Sequence, residues 1–171
     1  MLPDYDLEEA RIQLSNIAVE LQDIRPISST AVKLFWKFGS GVFNGHVYLL
    51  QIQGAEEHVE GFYIRFRDLN SGSQKYNMVT VLNGGASSYV LTDLRKFTKY
   101  EFFLVPFYKS VEGPPSNSQS AQTLEDVPSA PPDNLHVEIL SKTSAAIYWS
   151  SPPPQHINGG LKGYLVSGSH R

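Results

Sequence analysis

The chain has 171 residues, of which 41% are hydrophobic and 18% charged, and its formal net charge is -3. This balance is typical of a folded protein and too apolar for a disordered tail. The slight acidity, with lysines and arginines scattered along the chain, argues against a nucleic-acid partner.

Cysteine is absent, which excludes disulfides, thiolate metal sites and thiol catalysis. The longest apolar runs, 47–52 and 102–108, are far shorter than the roughly 20 residues that cross a bilayer. The acidic start lacks the basic and apolar parts of an export signal. We therefore expect membrane attachment only through a transmembrane segment that is absent from this sequence.

Residues 1–14 are predicted to form a linker or tail, although 4–13 allow a short helical turn. From Ile17 onward, short runs of period-two alternation are separated by Gly, Pro, Asn and Ser, a pattern that indicates antiparallel strands with one buried face. In one run Val32, Leu34 and Trp36 share the inward face. The predicted strands are about 17–21, 31–36, 59–67, 76–82, 88–91, 100–106 and 118–123, which is enough for a β-sandwich.

The sequence pattern repeats after a proline-rich stretch, 123–132, whose prolines stiffen the path between modules. Trp149 corresponds to Trp36, and the Gly163 and Tyr164 pair corresponds to Gly61 and Phe62. We predict four parts along the chain: a linker or tail at 1–14, a complete domain at 15–124, a linker at 125–132, and the first strands of a second, truncated domain at 133–171. Because three strands supply only half a core, we expect this second part to be intact only within a longer chain.

Two seven-stranded architectures, the immunoglobulin and fibronectin type III domains, fit this pattern. Immunoglobulin domains usually carry a disulfide and a tryptophan on the third strand, whereas here cysteine is absent and the tryptophans lie on the second. Trp36, Gly61 with Phe62, and the spacing of Leu94, Thr98 and Tyr100 closely resemble fibronectin type III domains. The family usually has proline where this chain has Lys96. The resemblance implies an all-β, immunoglobulin-like sandwich in which the Tyr100 hydroxyl bonds upstream backbone, the tyrosine corner.

The stretch DLRKFTKYEFFLVPFYKSVEG (93–113) and the junction TLEDVPSAPP (123–132) resemble the middle fibronectin domain of roundabout axon-guidance receptors. The preceding stretch EARIQLSNIAVEL (9–21) is also similar. The resemblance implies neighbouring immunoglobulin and fibronectin domains in a parent receptor. It also implies that any Slit-type ligand binds outside this segment, because the family uses immunoglobulin domains for that purpose.

One region departs from the family pattern. Between Trp36 and Val59 lie 22 residues, whereas 11 lie between Trp149 and Leu161. The first copy therefore carries an insertion at about 38–56. Three interpretations stay open: a loop with a small extra hairpin, a binding loop, or translated intron sequence.

The sequence predicts no catalytic, cofactor-binding or metal-binding residue. The five histidines, His46, His58, His136, His156 and His170, lack zinc spacing. The acidic residues at 4–9 do not form a calcium loop, and Asn83–Gly85 is interpreted as a turn rather than a phosphate loop. Pro152–Pro154 could be a polyproline ligand, but a structural role fits the fold better.

Two functions remain open, and neither is enzymatic. The first is a spacer or protein-interaction module in the extracellular part of a single-pass, plasma-membrane guidance receptor. The alternative is a fibronectin segment of another adhesion molecule, a receptor phosphatase or an intracellular muscle protein, since a domain without cysteine suits either side of a membrane. No cofactor is expected.

Overall fold

The computed structural model describes residues 5–39, 42–43, 46–47 and 58–168. These described residues form one α-helix, α1 (Tyr5–Ser15), and twelve strands. The strands are β1 (Ala18–Pro26), β2 (Val32–Gly39), β3 (Val42–Phe43), β4 (His46–Val47), β5 (Gly61–Asp68), β6 (Asn77–Val81), β7 (Ser88–Leu91), β8 (Lys99–Tyr108), β9 (Val111–Glu112), β10 (Gln119–Gln122), β11 (Asp133–Ile139) and β12 (Ala145–Ser150).

Two antiparallel sheets build the first copy. One has the order β1-β2-β7, and the other has the order β10-β8-β5-β6, with β9 paired to β8. The register of β5 and β8 places Phe62 opposite Pro106 and Ile64 opposite Leu104, so their inward side chains lie side by side. The predicted all-β sandwich of the fibronectin type III kind is confirmed.

The core forms where the two sheets face each other. Trp36 of β2 meets Phe62 of β5 edge-to-face, with ring centroids 5.3 Å apart, and both side chains are buried. Gly61 permits close packing beside this pair. A Cβ there would lie 2.2 Å from the Val81 carbonyl oxygen and 3.0 Å from the Phe107 ring. Residue 61 therefore has no room for a side chain.

The predicted linker before the first strand is folded. Residues 5–15 form α1, and its Ala10 and Leu14 side chains are almost completely buried. Leu14 belongs to the main hydrophobic cluster, and Gly113 approaches its backbone closely enough that a Cβ would lie 3.2 Å from the Leu14 carbonyl oxygen. The helix therefore packs against the sandwich, within the stretch that was predicted to be a linker or tail with a possible short helical turn. The assignment of residues 1–14 as linker or tail stays a prediction. No helix in the described part of the chain has the length and apolar character needed to cross a membrane.

The second copy consists of the β11–β12 hairpin followed by an extended segment. The expected third strand around Tyr164 forms no ladder within the described residues 161–168. In the first copy the equivalent strand, β5, pairs with β6 and β8, and the chain as described offers no counterpart of either. Trp149 and Tyr164 nevertheless meet edge-to-face at 5.3 Å, as Trp36 and Phe62 do. An apolar groove therefore lies open between the hairpin and this segment.

The insertion at about 38–56 lies largely outside the described residues. Within it, β3 and β4 pair in antiparallel fashion, with Val42 opposite Val47 and Phe43 opposite His46. This pairing is compatible with the small-hairpin interpretation. The three interpretations of the insertion remain predictions.

Candidate interaction surface and module junction

The tyrosine corner lies where the sequence predicted it. The Tyr100 side chain is buried, and its hydroxyl oxygen accepts a 2.9 Å hydrogen bond from the Arg95 backbone N–H. Burial raises the pKa of the Tyr100 hydroxyl above its ordinary value of 10.0. The bond fixes the turn that precedes β8, and this turn carries Lys96.

The outward face of the five-stranded sheet carries a network of charged and aromatic groups. Arg67 Nε lies 2.7 Å from a carboxylate oxygen of Glu101, and the Tyr76 hydroxyl donates a 2.8 Å bond to the same oxygen. The Arg67 guanidinium also lies 5.2 Å from the centre of the Tyr76 ring, and this ring meets Phe103 edge-on. Neighbouring strands place these groups side by side because outward residues alternate with core residues.

The electrostatics of this network follow from its hydrogen bonds. The bond from Tyr76, and then the Arg67 guanidinium, lower the pKa of Glu101 below its usual value. The same bond to the Glu101 carboxylate raises the pKa of the Tyr76 hydroxyl. At neutral pH the face therefore presents a carboxylate, one oxygen of which already accepts hydrogen bonds from Arg67 and Tyr76.

A second ion pair extends the same face. Arg65 makes two hydrogen bonds to Glu112, at 2.9 and 3.1 Å. The Tyr63 and Phe107 rings stack with centroids 4.2 Å apart. Arginine and tyrosine are among the residue types that concentrate binding energy at protein interfaces, and phenylalanine is enriched there. The charged and aromatic side chains of this face are therefore held in place by contacts with each other.

The module junction contains a third group of polar contacts. The Asp126 carboxylate, in the stretch that follows β10, lies 2.9 Å from Lys96 Nζ and accepts a 2.9 Å bond from the Ser29 hydroxyl. Lys96, and then the Val127 backbone N–H, lower the pKa of Asp126 from 3.8 to about 2. The residue that departs from the usual fibronectin pattern, Lys96, therefore tethers the linker to the first sandwich.

The histidines, glycines and prolines for which no chemical role was predicted make ordinary structural contacts. The His136 ring stacks on Tyr148, and His156 Nδ1 lies 3.0 Å from the Ser129 hydroxyl. In the turn at Asn83–Gly85, the Asn83 side chain accepts a bond from the Gly85 N–H, and Pro154 begins a 3-10 turn. Among the described residues, no group of three or more His, Cys, Asp or Glu is placed to hold a metal ion.

Sequence reasoning missed the contacts of Lys96, Asp126 and Asn158. The signal available for Asn158 was the Asn-Gly-Gly run, which favours a tight loop with positive φ. Asn158 has φ of 56°. No comparable signal existed for Lys96 and Asp126, because a pair of charges so far apart in sequence carries no local pattern.

Comparison with known proteins yielded relatives but no matching family model. Protein sax-3 of Caenorhabditis elegans is 33% identical over 95% of this chain, which spans 12% of the length of sax-3. The cell adhesion molecule DSCAML1 of Homo sapiens is 32% identical over 84% of the chain, which spans 6% of that protein. The solved FN5 domain of Drosophila Lar covers 63% of this chain with 18% identity and a TM-score of 0.44, and 97% of that domain is matched.

Fold and relatives together define a class. The relatives are cell-surface guidance and adhesion receptors. The chain is a non-enzymatic stretch of fibronectin type III sequence of the kind that builds the ectodomains of such receptors.

Proposed function

We propose that the chain acts as a spacer and protein-interaction segment in the extracellular part of a single-pass axon-guidance receptor of the roundabout kind. The supporting observation is the similarity to sax-3, the C. elegans homologue of the roundabout receptors, which runs through both copies and their junction. Residues 15–124 form one fibronectin module under this proposal, 125–132 the linker, and 133–171 the first strands of the next module.

A sandwich suits the spacer role because its two sheets bury a continuous core and resist deformation. Its outward face, with the Arg67, Glu101 and Tyr76 network, offers neighbouring modules or another receptor a preorganised surface. The binding of a Slit-type ligand is assigned to immunoglobulin modules elsewhere in the parent receptor.

A second candidate is a DSCAM-like adhesion ectodomain. DSCAML1 has nearly the same identity to this chain as sax-3 does, although over a smaller share of it. In both cases the segment serves as a non-catalytic extracellular module. The two candidates differ in the other domains of the parent protein.

Sequencing the mature transcript on both sides of the region that encodes this chain tests the proposal. We expect immunoglobulin modules upstream and one membrane-spanning segment downstream. A transcript that encodes neither would overturn the receptor assignment. Staining of intact cells with an antibody against the chain gives an independent check, because an extracellular segment is labelled without permeabilisation and an intracellular one is not.

A further inference from the structure

The stretch that joins the two copies is bound to the first sandwich over several residues. The Leu124 N–H donates to the Ser28 carbonyl at 3.1 Å, and the Leu124 carbonyl accepts from the Phe97 N–H at 3.2 Å. Two residues later, the Asp126 carboxylate contacts Ser29 and Lys96. These partners lie in the turns before β2 and β8, so the linker is held by both sheets.

The same stretch is bound on its other side by the loop that follows β12. The Asp126 N–H donates to the Asn158 carbonyl at 2.8 Å, and the Asn158 side-chain amide donates to the Val127 carbonyl at 2.9 Å. The Ser129 N–H donates to the His156 carbonyl at 2.8 Å. Asn158 therefore makes two hydrogen bonds to adjacent residues of the linker backbone, one through its carbonyl oxygen and one through its side-chain amide.

Glu125 adds a further contact in the same place. Its side-chain oxygen accepts a 3.0 Å bond from the Gly160 N–H. A Cβ on Gly159 would lie 3.3 Å from that oxygen, so the loop passes close against the Glu125 side chain. The loop therefore follows the linker closely.

Asp126 connects the two halves of this arrangement. Its side chain binds the first sandwich, whereas its backbone N–H binds the loop of the second copy. Prolines alone stiffen a linker along its own axis but leave rotation at the residues between them. Because Asp126 is bonded to the first sandwich on one side and to the loop of the second copy on the other, rotation of the linker at this residue is also restricted.

We propose that residues 124–129 and the loop 156–160 form an inter-module clamp that holds the second copy in one orientation relative to the first. The partner of the linker is thus the loop that follows the second strand of the next fibronectin module. The inference rests on the proposed spacer function and specifies how the spacer keeps its angle.

Distance measurements between two spin labels test the clamp in the full 171-residue chain. The chain has no cysteine, so Thr80→Cys on β6 and Glu138→Cys on β11, both at exposed positions, give two unique attachment sites. We expect one narrow distance distribution. A broad distribution of label-to-label distances would overturn the proposal. This holds whether the hairpin or the linker is mobile, because the clamp requires both to be ordered.

Two clamp variants and one matched control make the test specific. Lys96→Met removes the bond to Asp126, and Asn158→Gly removes the side-chain bond to Val127 while keeping the positive φ. Each is expected to widen the distribution at least twofold. Lys37→Met removes a similar exposed ion pair, with Glu20, far from the junction and should leave the distribution unchanged.

Unchanged widths in both clamp variants would overturn the proposal, and so would equal broadening in the control. Hydrogen exchange adds an independent readout, since the Asp126 and Ser129 amides should exchange at least tenfold more slowly than unstructured amides. The outcome is separate from the receptor assignment: a narrow distribution with no membrane-spanning segment in the transcript leaves the clamp standing and removes the proposed function.

Discussion

Asn117 illustrates how one side chain can hold distant elements in place. Its amide oxygen accepts a 2.8 Å bond from the Leu21 N–H, and its amide nitrogen donates a 3.0 Å bond to the Leu21 carbonyl. The side chain thus imitates the backbone of a neighbouring strand. It does so where the β1–β2 register shifts between Leu21 and Asp23. Local sequence carries no sign of this role, because asparagine before a short strand usually indicates a turn.

At the residue scale, Tyr100→Phe tests the tyrosine corner. The substitution keeps the ring in the core and removes the acceptor of the Arg95 N–H. We expect the free energy of unfolding to fall by about 1–3 kcal/mol, since a half-buried donor loses its partner. Urea denaturation gives the value, with Tyr148→Phe as the control because that residue is 53% exposed. A midpoint shared by parent and variant would contradict the role of the hydroxyl.

Asp126 provides a pH-dependent test at the same scale. Its folded pKa of about 2 lies below the ordinary 3.8, so the stabilisation that it contributes is present above pH 3.8 and is lost as the pH falls through 2. An NMR titration of the carboxyl carbon should show a midpoint near 2. Lys96→Met should move that midpoint toward 3.8. A parent midpoint already at 3.8 would show that the Lys96 contact does not form in solution.

At the element scale, α1 shows an apolar pattern that is present in the sequence but too weak to predict the full helix. Leu7, Ala10 and Leu14 have the i, i+3, i+7 spacing of a helix face. Ala10 and Leu14 are buried, and Leu14 belongs to the main hydrophobic cluster of the sandwich. This apolar face is narrow and the surrounding residues are polar, so the sequence alone favours a linker with at most a short helical turn. Docking against the core supplies the stability that the helix lacks by itself.

Leu14→Ala tests this docking. The side chain is 0% exposed, so its truncation should lower the free energy of unfolding by about 2–5 kcal/mol. Ile12→Ala is the matched control on the same helix, because Ile12 is 57% exposed. Denaturant unfolding of both variants measures the difference. Equal effects would show that α1 does not pack as described.

At the scale of the whole molecule, the two copies differ in how much apolar surface they bury. The first encloses Trp36, which is 2% exposed, whereas the second leaves Trp149 37% exposed beside an open groove. Hydrophobic stabilisation is roughly proportional to the apolar area removed from water. The second copy should therefore be much the less stable of the two.

The two tryptophans allow this difference to be measured. Trp36→Phe leaves Trp149 as the reporter of the second copy, and Trp149→Phe leaves Trp36 as the reporter of the first. We expect the Trp149 fluorescence transition at a lower urea concentration than the Trp36 transition. Because Trp36→Phe itself weakens the first copy, backbone hydrogen exchange of β8 in the parent chain serves as a second measure of the stability of the first copy. Coincident transitions would show that the copies unfold as one unit.

The sequence by itself determined most strands of the first copy and their core faces, and the resemblance to fibronectin type III domains implied the tyrosine corner. A strand that is buried on one side has apolar residues at every second position, as at Val32, Leu34 and Trp36. The hydrogen bond between Tyr100 and Arg95 joins residues that are only five positions apart in the sequence. These features depend on neighbours in sequence and can be read from it.

Only the tertiary structure decided which distant groups meet. Lys96 and Asp126 pair because the turn before β8 and the linker leave the sandwich at the same end, and Asn158 joins them because the next loop folds back onto that linker. The segment around Tyr164 has the pattern of a strand, yet a ladder requires partner strands as well as a pattern. Pairing between distant groups depends on the path of the whole backbone, and no local alternation encodes that path.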